Sequence, residues 1–363
     1  MKILICTEFF YPHIGGVEKH SQVLANYFVN KNHQVHIATT FIKNRNKLKN
    51  LNIKQFKIKG NIVKGFSGDI LKYQNFLINN KYDLIFFNAA QQWSFDLALP
   101  IIDKILSRKI LFPCGFSRLK NILYAPYFSY LKKKVHFFDS IICSHKKALD
   151  YKFFKKITSK KVDIIHNGSE VVKSSYSKNM LYKKYKINKS YKIICNISNI
   201  KYLKGQDRCI NIFDKIKTNN TVLFLIGNNM NPIYTKLIKY MVKKFNHKNK
   251  IRNKRIILLE TTYIEARTIL NYSDLFLFTS RVEYDPLVIY ESIISKTKFV
   301  SYGVGLVKYH DKKNGFVSNN INHLINKTDE LLLNKDKQLL DNNQFLWSTI
   351  LAKYEKIFLK IQL

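Results

Sequence analysis

Apolar runs of strand length recur along this chain, each followed by a stretch with helical spacing, and no other feature narrows the fold so far. "KILICTEFF" reads as a buried strand, and "GVEKHSQVLANYFVNKNH" then carries Val17, Val23, Leu24 and Phe28 near one helical face. "QVHIATTF", "YDLIFFNAA", "DSIICS" and "VDIIHNGSE" continue the strand series, the last ending at an Asn-Gly turn pair. A second series opens at "YKIICNIS" and runs through "TVLFLIGNN", "KRIILLE", "DLFLFTS" and "KFVSYG". Alternation of this kind predicts parallel sheets covered by helices, an α/β class. Residues 1–170 are expected to form one such domain and residues 185–345 another. The polar, lysine-rich "KSSYSKNMLYKKYKINKS" between them reads as a linker with a short helix, and "FLWSTILAKYEKIFLKI" as a closing amphipathic helix over about 346–363. The 363 residues, 46% of them hydrophobic, suffice for two cores.

Charge sets the second constraint. The chain has 62 Lys+Arg against 24 Asp+Glu, a net +38. Such an excess favours polyanions: nucleic acid, anionic lipid or phosphorylated substrates. A general lysine bias, shared with abundant Asn, accounts for it equally well. No basic stripe joins an RNA-binding aromatic pattern, so no specific nucleic acid is expected. The five cysteines are scattered without a CxxC pair, which fits buried free thiols rather than zinc or disulfides. The N-terminal apolar run is interrupted by Thr7 and Glu8, too early for a signal peptide, and no run reaches membrane-spanning length. A cytoplasmic protein is expected, either soluble or peripheral at the inner face of the membrane.

In open parallel sheets ligands sit at the carboxyl ends of strands, where loops run into helix N-termini that attract phosphate. "PHIGGVEKH" places Gly15 and Gly16 at such a junction, where a plain tight turn is the competing reading. "NISNIKYLKGQDRCI" repeats the shape in the second series, with Lys204 a point charge beside any diphosphate or simply an exposed lysine. "RVEYDPLVIYESI" then sets Glu283 and Glu291 eight positions apart in an acid-poor chain. Asp285 is expected to cap a helix whose first residue is Pro286. Glu291 would then be the sixth helical residue, about 7.5 Å along the axis. Carboxylates there suit ribose or sugar diols, the alternative being two unrelated surface acids.

Taken in order, these pieces resemble the family 4 glycosyltransferases, retaining enzymes of the GT-B fold. The resemblance is carried by "FFYPHIGGVEKH", "IIHNGSE", "NISNIKYLKG", "SDLFLFTSRVEYDPLVIYES" with its E-x7-E spacing, "NGFV" and "WSTILAKYEKIF". It implies two Rossmann-like domains facing across a cleft, with the last helix crossing back to the first. It further implies a nucleotide-diphosphate sugar as donor substrate, with no cofactor and no metal. By it, Glu291 binds ribose hydroxyls, Glu283 contacts the transferred sugar and Lys204 neutralises the diphosphate. Gly15, Gly16, Asn199, Asp285, Pro286, Leu287 and Val288 line the donor site, the amides of Leu287 and Val288 facing phosphate. Four departures stand out. Asn199 holds the position of the family's arginine, with Lys201 or Arg208 as substitutes, and Pro286 replaces a glycine. Asn88 and Cys114 stand where histidines are frequent, which leaves Asn88 as the acceptor-side catalytic candidate.

The first domain of the family takes the acceptor, here expected to be a glycan or lipid-linked glycan of polysaccharide or lipopolysaccharide synthesis. "YAPYFSYLKKKVHFF" mixes aromatics with three lysines, so it reads either as a helix lying on anionic lipid or as a core-facing helix with a solvated edge. "NKLKNLNIKQFKIKG" reads as a solvated strand or loop. His136, His145 and His166 lack ligand spacing and are expected to be structural. The rival functions are a nucleotide-sugar epimerase of the same fold, a nucleic-acid binder, and a degenerate transferase.

Overall fold

Strands buried on both faces need unbroken apolar sequence, and the computed structural model shows where those runs go. It describes every residue except 47, 49, 117, 250–252, 311–313, 335–341 and 363. The chain divides into two units, one of Met1–Asn167 with Trp347–Leu363, the other of Gly168–Leu346. The first unit runs β1 (Lys2–Cys6), α1 (Gly16–Asn30), β2 (Gln34–Thr40), β3 (Asn52–Phe56), β4 (Ile58–Asn61), β5 (Gly65–Gly68), α2 (Ile70–Asn79), β6 (Leu84–Asn88), α3 (Trp93–Asp96), β7 (Arg108–Phe112), α4 (Ala125–Lys134), β8 (Ser140–Cys143), α5 (Leu149–Ile157) and β9 (Val162–Ile164). Seven strands form one parallel sheet in the order β3-β2-β1-β6-β7-β8-β9, and β4 and β5 form a separate hairpin. The "NKLKNLNIKQFKIKG" stretch includes β3 at the sheet edge, where Lys54 is exposed. Lysine on an edge strand discourages pairing with another chain.

The second unit runs α6 (Lys178–Lys184), β10 (Lys192–Ile197), α7 (Gln206–Lys215), β11 (Thr221–Ile226), α8 (Pro232–Lys248), β12 (Lys254–Leu259), α9 (Tyr263–Tyr272), β13 (Leu275–Phe278), α10 (Leu287–Ile294), β14 (Phe299–Ser301), β15 (Gly315–Val317) and α11 (Ile321–Leu333). Its parallel sheet is ordered β12-β11-β10-β13-β14-β15. The stretch read as a linker belongs to this unit. Leu181, Tyr182 and Ile187 are buried in its core, and Ser175 and Tyr176 bond to Thr268 and Glu265. The polar composition reflects the helix's outer side, since a short amphipathic helix needs few apolar residues to dock.

The last helix, α12 (Trp347–Gln362), completes the first unit. Trp347, Ile350, Leu351, Tyr354 and Phe358 are buried, the spacing of one helical face. Phe358 stacks on Phe28 of α1 with ring centroids 4.6 Å apart, Tyr354 OH lies 3.0 Å from His20 Nε2, and Tyr27 donates to Glu355 at 2.5 Å. The buried residues of α1 are His20, Ser21, Leu24, Ala25 and Phe28, with Val17 and Val23 only half-buried. Among the described residues no helix is long and apolar enough to cross a membrane.

Candidate active site

Both sheets reverse winding direction beside their first strand: β1 lies between β2 and β6, and β10 between β11 and β13. At such a switch point the loops leaving neighbouring strands part, and a crevice opens at the carboxyl ends. In the second unit this brings the loop after β10, residues 198–205, against the loop after β13, residues 279–286. One glycine fixes that contact, and another holds the segment after β14 against the second loop. Gly205 has φ +67°, and a Cβ on it would strike the Thr279 carbonyl. Gly305 has φ +53° and would meet the carbonyls of Glu283 and Tyr284. Hydrogen bonds close the junction: Thr279 Oγ1 to Gly205 O at 2.8 Å, Arg281 N to Leu203 O at 2.8 Å, and Leu306 N to Tyr284 O at 2.7 Å.

The Lys204 ammonium consequently forms an ion pair with the Glu283 carboxylate. Beside it Arg281 holds Asp207 with two parallel bonds, 2.8 and 2.5 Å, and stacks over Tyr202 at 3.9 Å. That pairing holds the Asp207 carboxyl below its usual range despite burial, together with a bond from Tyr234 OH. Asn199 is half-buried, its carbonyl accepting from Gln206 Nε2 at 3.0 Å. Arg208 lies over the Tyr302 ring at 4.9 Å, and among the described residues it has no carboxylate partner; Lys201 is half-buried.

The expected cap of α10 is corrected. Pro286 is itself the N-cap residue, with φ −72° and ψ 122°, and no side chain caps the helix. Asp285 turns inward instead and accepts a 2.8 Å bond from Tyr290 OH. Burial favours this, because the Tyr290 hydroxyl would otherwise be an unpaired polar group in the core. The helix begins at Leu287, so Glu291 is its fifth residue, about 6 Å along the axis from the first. Among the described residues the amides of Leu287 and Val288 have no partner, the usual state of a first helical turn.

The Glu291 carboxylate lies against α9. Tyr263 OH donates to it at 3.4 Å, and Arg267 stands 3.9 Å away. Arg267 is only 1% exposed and is itself held by Ser169 Oγ, Tyr263 OH and the Glu170 carbonyl. A buried guanidinium with so many partners makes a rigid support for one glutamate.

The first unit's carboxyl edge is built differently. Gly15 is the extended N-cap of α1, and a Cβ there would collide with the Glu18 carboxylate, whereas one on Gly16 would meet nothing. Asn88, 0% exposed at the end of β6, donates to Ser21 Oγ at 2.6 Å and to His20 Nδ1 at 3.1 Å, and accepts from Cys114 Sγ at 3.3 Å. Any part that Asn88 takes in chemistry therefore passes through these neighbours. Burial drives His20 down to about 4, so it is neutral, donating from Nε2 to Tyr354.

Two acids here escape a reading of the sequence. Burial, with Glu18 nearby, pushes Glu8 up to about 7. Asp96 is 3% exposed, and burial pushes it up to about 7 against opposing contacts from Tyr127 and Gln91. The loop between β6 and α3 holds Ala89 and Gln91 at φ +79° and +60°. Such backbone costs about 1 kcal/mol or more per residue and concentrates at functional sites. Among the described residues no group of three or more His, Cys, Asp or Glu is placed to hold a metal ion.

Comparison with known proteins fits this geometry. Residues 177–343 match the family model of group 1 glycosyltransferases. The chain is similar over 99% of its length, at 15% identity and TM-score 0.76, to all of Anabaena Alr3699/HepE in a complex with UDP and glucose. A glycosyltransferase from Rickettsia africae ESF-5 aligns over 99% of this chain and 98% of its own, at 17% identity and TM-score 0.77. WaaG, a glycosyltransferase involved in lipopolysaccharide biosynthesis, aligns over 98% of this chain and 95% of its own, at 15% identity and TM-score 0.66. No curated protein sequence matches the chain. The fold is thus that of GT-B glycosyltransferase structures, with parallel sheets of seven and six strands.

Proposed function

We propose that the chain is a retaining, metal-independent glycosyltransferase that uses a nucleotide-diphosphate sugar. The Lys204–Glu283 pair at the second unit's switch point carries this reading, with Glu291 braced nearby. A diphosphate brings the anion that Lys204 now finds in Glu283, which frees that carboxylate for sugar hydroxyls. Glu291, held by Tyr263 and Arg267, accepts from the ribose diol. The unpaired amides of Leu287 and Val288 add dipoles at the start of α10.

Breaking the sugar–phosphate bond builds negative charge on the leaving diphosphate. Lys204 and these amides stabilise that charge, the task that a metal performs elsewhere. The leaving phosphate takes the acceptor's proton on the face it departs from, which retains configuration. Asn88 positions the first unit's polar network, and Gly16 offers an amide N–H. The acceptor is a glycan or lipid-linked glycan of the cell surface, a class favoured by the likeness to WaaG. The work is placed in the cytoplasm.

Melting the protein with UDP-, GDP- and ADP-sugars in turn tests the donor class, because a ligand of the native state raises Tm. One sugar nucleotide is expected to raise it and to be consumed with transfer of its sugar. A flat response to all three, or release of nucleotide with an altered sugar in place of transfer, overturns the reading.

A further inference from the structure

The aromatic, lysine-bearing stretch in the first unit does not offer its apolar side to a membrane. Tyr127, Phe128 and Leu131 of α4 are buried in the core, and Lys134 pairs with Asp103. That stretch is the core-facing helix with a solvated edge, the second of its two readings, and an apolar stripe beside lysines occurs on α8. Its inner face, Tyr234, Thr235, Ile238 and Phe245, packs on the second sheet. Its outer face carries Ile233, Leu237 and Tyr240, which are 83%, 48% and 63% exposed. Their spacing of four and three residues stacks them in one stripe along the helix, and Met230, 60% exposed, stands just before the helix. Lys236, Lys239, Lys243 and Lys244 flank the stripe, all exposed. Among the described residues none of these four has a carboxylate partner, and α8 contains no acid.

We infer that the outer face of α8 docks on an anionic lipid bilayer, its apolar stripe entering the headgroup boundary while the lysines pair with lipid phosphates. Two features favour that occupant. A second copy would bring the same excess of positive charge, +38 per chain, against this face. A nucleic acid would satisfy the lysines and leave three apolar side chains in water. A bilayer interface takes both, because lysine stems lie along apolar surface while their heads stay in the polar layer. The inference goes beyond the transferase reading and stands without it, since its test measures lipid binding rather than turnover.

Co-sedimentation of the full chain with phosphatidylcholine vesicles, with and without phosphatidylglycerol, reads the effect directly. Binding is expected only with the anionic lipid and is expected to fall as salt rises. Each lysine removed in the K236Q/K239Q/K243Q/K244Q series lowers partitioning by about fivefold at low salt. The variant I233S/L237S/Y240S lowers it by about tenfold or more with a small change in Tm, because these side chains lie outside the core. The I122S/L123S variant, which alters two exposed apolar residues before α4, serves as a comparison and keeps wild-type binding. Equal binding to both vesicle types, full binding by the α8 variants, or loss confined to I122S/L123S overturns the proposal. So does a wild-type dimer that I233S/L237S/Y240S dissolves, or binding to random RNA that the same variant leaves intact while vesicles fail to bind.

Discussion

The two units share one sheet plan and arm its carboxyl edge in opposite ways. At the second unit's switch point the acids are paired with cations: Glu283 with Lys204, Asp207 with Arg281, Glu291 with Arg267. At the first unit's switch point His20 is neutral, Asn88 bridges three neighbours, and Glu8 and Asp96 are pushed up to about 7. Burial acts on both edges. What differs is whether a guanidinium or ammonium stands within reach, which favours the charged form of a buried carboxyl. An edge of ionic pairs suits a charged donor, because each pair can exchange a partner for a ligand group. A neutral edge suits an uncharged hydroxyl acceptor.

Lys204→Ala puts the contrast under most strain. It removes the cation that the proposed mechanism sets against the leaving group and is expected to lower kcat about a hundred- to thousandfold, as loss of one transition-state donor does. Steady-state kinetics with the donor found by thermal shift would measure this, and an unchanged kcat would mean that the ionic edge takes no part in chemistry. Glu291→Ala should follow, with donor affinity reduced about 10- to 100-fold in titration calorimetry and Tm nearly unchanged, the loss of charge-assisted hydrogen bonds. Unaltered affinity would remove the ribose role.

Asp96→Asn probes the neutral edge. The Asp96 carboxyl rises from 3.8 to about 7 on folding. Between those values the folded chain keeps a proton that the unfolded chain has released, so stability falls as pH rises through this window. The amide abolishes that slope and is expected to gain about 4 kcal/mol over wild type at pH 8 relative to pH 4, read by denaturant melts at each pH. Parallel pH profiles would show Asp96 ionised and break the contrast. Arg281→Lys is the mildest change. It exchanges a bidentate contact with Asp207 for a single bond and should cost about 1 kcal/mol in denaturant melts, with the larger part of any kinetic loss in KM.

How much of this was legible in the sequence depends on whether the cause was local. Continuous runs such as those around Ile3–Cys6 and Leu223–Leu225 announced buried parallel strands, because both faces of such a strand must be apolar. The face of α12 was readable for the same reason. "RKILF" and "GFV", short and flanked by polar residues, did not stand out, and they became β7 and β15. The cap assigned to Asp285 failed because a tertiary partner, Tyr290, outcompeted the local helix end. The braces of Glu291, the Arg281–Asp207 fork and the raised Asp96 are contacts between distant segments, and no spacing rule reaches them. Likewise, a lysine-rich aromatic segment looks the same in sequence whether its outer side is mostly polar, as on α4, or carries an apolar stripe, as on α8.

The docking of α12 on α1 also dictates an order of assembly. A ribosome delivers the whole second unit before it delivers the residues that seal the first, so the early sheet waits with Phe28 and His20 lacking their α12 partners while its neighbour can already fold. A chain released before Trp347 would therefore present chaperones with a complete C-terminal body and an unsealed N-terminal one.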